Sequence, residues 1–140
     1  KHLIFISLLF CSISSASEPM SVVDTLLTPL KEEDSVENFE EKTKDVKFGY
    51  NKYHIQAAAE AWKEIPSVEK FKESLLNNLR NNGSISEYNL IDETVRLNGA
   101  QRKVRIEVEF SSGVKKIINM ELLRSHKGAD FKIMKSDFSN

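Results

Sequence analysis

An alternating stretch at residues 102–123, RKVRIEVEFSSGVKKIINMELL, constrains this chain more than any other. Val104, Ile106, Val108 and Phe110 fall on one side of an extended backbone, and Lys103, Arg105, Glu107 and Glu109 fall on the other. Successive side chains of a strand point to opposite faces, so the pattern predicts a strand with one buried and one wet face. Ser111, Ser112 and Gly113 turn the chain. Ile118, Met120 and Leu122 then resume the alternation against Asn119 and Glu121. Strand, short Gly-containing turn and strand predict a β-hairpin. An isolated hairpin is barely stable in water, so the rest of the chain must cover its apolar face.

The residues on either side extend the sheet. From Ser84 the period becomes two. Tyr88 and Leu90, then Ile91, Val95 and Leu97, predict a long strand whose buried side switches at Ile91, as a bulge would make it. Asn98-Gly99 is a hairpin turn signal. After a polar turn containing Gly128, Phe131 and Ile133 open a last strand that ends near Phe138.

The first half is helical in pattern. Ser21 is a candidate N-cap, followed by Val22, Val23, Leu26, Leu27 and Leu30 at helical spacing, and Pro29 should kink or end that run. Asp34-Ser35 opens a second short helix with Val36 and Phe39 buried. Its other face carries Glu37, Glu40, Glu41, Lys42 and Lys44, a solvated surface. Residues 54–65 form a further helix with Ala58, Ala61, Trp62 and Ile65 on one face. Pro66 breaks it. A new helix starts near Ser67, with Val68, Phe71, Leu75, Leu76 and Leu79 on one face, and Asn81-Asn82-Gly83 ends it. Helices first and about four antiparallel strands after them make an α+β domain, with the helices packed on one face of a curved sheet.

This order resembles the nuclear-transport-factor-2-like superfamily, in the broader cystatin-like class. The resemblance rests on the helix-rich first half, the Pro-Ser helix start, the long strand, the Asn-Gly turn, the hairpin and the final strand. It implies a cone with a pocket between helices and sheet, and an open sheet face that supports a homodimer. It also implies that aromatic residues line the pocket, and Phe48, Tyr50, Tyr53, Trp62 and Phe71 are the candidates.

The N-terminus has its own pattern. Lys1-His2 is basic, residues 3–10 (LIFISLLF) are apolar, and Ser14-Ser15-Ala16 supplies small residues at the positions a signal peptidase reads. This predicts a secretory leader over residues 1–16 and a mature domain over 17–140 in the periplasm or outside the cell. The apolar run falls short of the ~20 residues of a membrane-spanning helix. Cys11 is the single cysteine and leaves with the leader, so thiol chemistry and disulfides are not expected.

Composition narrows the function. The 140 residues carry 20 Lys+Arg against 21 Asp+Glu, a formal net charge of −1, so no overall field draws the chain to nucleic acid. A basic cluster of Arg96, Arg102, Lys103 and Arg105, with Lys115 and Lys116 beyond, is interleaved with Glu107 and Glu109. It is expected on the outer sheet face, with Arg96 and Arg105 near each other across the turn. No phosphate-binding loop, dinucleotide motif, nucleophile elbow or zincin motif occurs, and no cofactor or metal is expected. In the resembled superfamily, proton transfer would use a pocket carboxylate or histidine. Asp92 and His54 are the candidates, with Tyr50 or Tyr53 as donor. Neither has a second positioned group beside it in sequence. The expectation is therefore an exported binding module for a small apolar ligand or a protein partner. The rivals are a small isomerase or dehydratase and a structural part of a cell-envelope complex.

Overall fold

The computed structural model describes residues 19–46, 48 and 66–139. The expected leader and the expected helix over 54–65 lie outside the described residues.

Alternation alone places the sheet correctly. Strands β1 (Ile85–Arg96), β2 (Gln101–Phe110), β3 (Lys115–Leu123) and β4 (Lys132–Phe138) pair antiparallel in the order β1-β2-β3-β4. Val104, Ile106, Val108 and Phe110 are buried, as are Ile118, Met120 and Leu122 opposite them. The register of β1 slips between Leu90 and Asp92, so Ile91 is the extra residue of a bulge where the pattern switches. A second slip falls between Ile85 and Glu87.

Three helices among the described residues pack on the sheet. Helix α1 (Pro19–Leu27) buries Val22, Val23, Leu26 and Leu27. It starts two residues before Ser21, which is therefore not a cap. Pro29 has the expected effect, because the chain tightens into a 3₁₀ turn over Thr28–Lys31 with the proline in its first positions. The second helix is shorter than expected. Residues 33–38 form turns, and α2 covers only Phe39–Thr43. Lys42 there pairs with Glu32 at 2.6 Å and Asp34 at 3.1 Å. Those hydrogen bonds hold Asp34 below its usual range and raise Lys42.

Helix α3 (Pro66–Asn82) buries Val68, Phe71, Leu75 and Leu79, spaced three and four apart. Proline at the first helical position has no N–H to waste. Gly83 ends the helix at φ +88°, its N–H donating to the Leu79 carbonyl at 2.9 Å. A Cβ on Gly83 would sit 1.9 Å from Ser111 Oγ, so the helix end and the β2–β3 turn meet only across a glycine. The Ser111 and Ser112 N–H groups donate back to the Ser84 and Asn82 carbonyls. Phe71 stacks on Phe138 of β4 with ring centroids 5.8 Å apart. Helices and sheet share one core, completed by Phe39, Val46, Phe48 and Phe131.

Candidate functional site

The cover on the inner sheet face is uneven. Residues directly opposite each other in an antiparallel pair share a face. The inner row therefore continues from Tyr88 and Leu90 to Glu93 and Val95, opposite Val108, Ile106, Val104 and Arg102. Beside β4, α3 covers that face. Past Tyr88 no described element covers β1: Leu90, Ile91, Val95 and, in the turn, Leu97 are 39%, 46%, 55% and 63% exposed. The sequence predicted Leu90, Ile91, Val95 and Leu97 as buried. Val95 does belong to the inner row, but nothing among the described residues closes over it.

Where β1 meets the helices, Tyr88 makes the seam. Its hydroxyl donates to Asp24 Oδ1 at 2.5 Å and lies 2.8 Å from Thr28 Oγ1, while Lys31 Nζ sits 5.5 Å above the ring. Burial, then the bond to the Asp24 carboxylate, push the Tyr88 hydroxyl up to about 12.

Arginines gather at the turn end of the sheet. The β1–β2 connection is a tight left-handed turn over Leu97–Gly99, with φ +52° at Leu97, +54° at Asn98 and +91° at Gly99, closed by the Ala100 N–H donating to the Leu97 carbonyl at 3.0 Å. Arg102, expected on the outer face, belongs to the inner row opposite Val95 and Leu122. It pairs with Glu93 at 2.7 Å, and its guanidinium carbon lies 5.5 Å from the Phe131 ring centroid. Arg124 approaches the same ring at 4.8 Å. Alternation held the signal for both. Arg102 shares parity with Val104 and Ile106, and Arg124 shares parity with Ile118, Met120 and Leu122. A charged residue continuing a buried parity at a strand end marks where the core opens.

The outer face carries Arg96, Lys103, Arg105 and Lys115 of the basic cluster, whereas Lys116 stands opposite Val108 in the inner row. Arg96 stands opposite Gln101, not beside Arg105, because the tight turn over Leu97–Gly99 sets the register from that end and Arg105 falls opposite Asp92. Asp92 is exposed and lines an outer-face cleft of about 270 Å³ with Thr94, Lys103, Arg105, Asn119 and Lys135. That is a solvated setting, unlike the dry pocket around a general base. Phe48 and Phe71 are core residues, 5% and 2% exposed, and Phe48 bridges to Ile133 of β4. His54, Tyr50, Tyr53 and Trp62 lie outside the described residues. Among the described residues, no three His, Cys, Asp or Glu side chains gather to hold a metal ion, and no helix is long and apolar enough to cross a membrane.

Compared with family models, with curated proteins and with solved structures, the chain matches none.

Proposed function

We propose that this chain is an exported, non-catalytic interaction module of the nuclear-transport-factor-2-like superfamily, binding its partner through the open β1 side of the sheet. One observation carries the reading: Leu90, Ile91, Val95 and Leu97 stand exposed together on an edge strand and its turn. Exposed apolar side chains grouped on a folded domain mark interaction sites, and here they flank the Glu93–Arg102 ion pair of the same inner row. An edge strand adds a row of unpaired N–H and C=O groups that a partner can use. The occupant is a protein or a small apolar molecule, and a second copy of the chain is the self-associating form of the same reading. The helix-first order and four-strand meander support the superfamily. The basic start, apolar run and small residues of positions 1–16 support export.

The rival is a small isomerase or dehydratase that uses Asp92 or His54. A deletion strain complemented at matched protein abundance separates the two. The double variant Val95→Asp/Leu97→Asp should melt like the wild type and fail to complement, while Asp92→Asn complements. The opposite outcome, a silent double variant and a folded but inactive Asp92→Asn, replaces the module with the enzyme. Sedimentation of the wild type and the double variant reports whether the partner is a second copy. Mass spectrometry of the protein from its host should find a chain starting at Ser17, and an intact or acylated N-terminus overturns cleavage after Ala16.

A further inference from the structure

Two guanidinium groups converge at the turn end of the sheet, and among the described residues one carboxylate, that of Glu93, pairs with them. Arg102 and Arg124 both lie over the Phe131 ring, at 5.5 and 4.8 Å, and Phe131 is held in the core at 3% exposure. Both also crowd Gly99. Their Nη2 atoms lie 3.8 and 3.6 Å from the place a Cβ would occupy there. Like charges brought this close repel unless something negative sits with them.

Arg102 has its partner. Its Nη1 is 2.7 Å from Glu93 Oε2, and its Nε donates to the Gly99 carbonyl at 3.4 Å. Arg124 does not. Its Nε is buried and donates to no acceptor among the described residues, and no described carboxylate lies within ion-pair distance of it. A buried donor on a charged group is expensive to leave unmade. The backbone around it is held, because the Arg124 N–H donates to the Ala100 carbonyl at 3.0 Å. Beside Arg124 runs a groove of about 320 Å³, lined also by Ser125, Asp130 and Lys132. Arg124 and Lys132 outweigh Asp130 there, so the groove is net positive.

We infer that Arg124, supported by Arg102, is an anion-binding site for the carboxylate or phosphate group of a ligand lying in this groove. The planar fork of a guanidinium matches both groups with two parallel hydrogen bonds, and stacking on Phe131 fixes its plane beforehand. The ligand's anionic group supplies the second negative charge that no described residue gives the arginine pair. This site uses the groove between the β3 end and the following loop, and it stands whether or not the β1 side binds a partner.

The test is a titration of ¹⁵N-labelled protein, following the arginine Nε–Hε signals. Sodium phosphate and sodium acetate are added separately, with sodium chloride holding the ionic strength constant. A saturable shift of the Arg124 signal is expected with at least one of them, and the arm that saturates names the group. Arg124→Gln should weaken binding by about tenfold or more, the loss expected for a charged hydrogen bond. Arg124→Lys keeps the charge but loses the fork, and should also weaken binding. Lys127→Gln, on an exposed lysine of the same loop, should change it little. Glu93→Gln frees Arg102 from its partner and should tighten binding, a readout that survives even if Arg124→Gln does not fold. No saturable shift in either arm overturns the site. So does a loss in Lys127→Gln equal to that in Arg124→Gln, or a Glu93→Gln variant that binds no better.

Discussion

Strands β1 and β2 are neighbours with similar alternating patterns and opposite fates. In β2 every inward apolar residue from Val104 to Phe110 is buried. In β1 only Ile85 is, although Leu90 and Val95 stand in the same inner rows. β2 has a strand on each side and the helical layer over its inner face. β1 is an edge, and among the described residues Tyr88 ties it to Asp24 and Thr28 of the helical layer. Alternation therefore states which side of a strand a residue occupies. It does not state whether anything covers that side.

The sharpest way to break this contrast is a matched pair of substitutions in one inner face. Ile106→Asp should unfold the domain. An unpaired buried carboxylate costs several kcal/mol, comparable with the ~5–15 kcal/mol that holds a small domain together. Val95→Asp places the same carboxylate in water and should leave the thermal melt nearly unchanged. Equal losses would mean that β1 is covered after all.

A smaller contrast comes from truncation. Phe110→Ala removes a ring at 1% exposure and should cost ~3–5 kcal/mol in denaturant unfolding. Leu90→Ala should cost less than about 1 kcal/mol, the usual scale at an exposed position.

The seam between the two regions can be titrated. The Tyr88 hydroxyl is raised from 10.0 to about 12 in the folded chain. Between those values the native state holds a proton that the unfolded chain has released, so stability falls as pH rises. The contribution is fully present below pH 10 and is lost as pH climbs to about 12. Tyr88→Phe lacks this term, so melts of wild type and variant should converge across that window. At neutral pH the variant should be less stable by ~0.5–1.5 kcal/mol, the worth of a hydrogen bond.

The smallest effect belongs to the wet face of the helical layer. Lys42 and its hydrogen bond hold Asp34 below 3.8. Its contribution exists above the unfolded value and is lost as pH falls through the lower folded one. Asp34→Asn should lower the melt only slightly at neutral pH, and the difference should vanish in acid. Exposed pairs of this kind are screened by solvent and salt.

Much of the fold was legible because it is local. Residues 102–123 specify their hairpin by period alone, and Val68, Phe71, Leu75 and Leu79 specify the inner face of α3. Pro29 and Gly83 end helices for reasons contained in one residue each. The Ile91 bulge could also be read, since the apolar parity changes there. Its consequence could not. The bulge offsets the pairing by one residue, so Leu90 faces Ile106 while Asp92 faces Arg105, and the inner row passes to Glu93 and Val95.

What the chain determined by itself was order, period and side: helices first, four strands after, and which residues of each strand share a face. Only the tertiary structure decided cover and company. It left Leu90, Val95 and Leu97 exposed, with no described element closing over them. It carried Arg102 and Arg124 inward to meet over Phe131, although they are 22 positions apart in the chain. Periodicity arises from one residue and its near neighbours, whereas burial and charge pairing depend on which distant segments arrive at the same place.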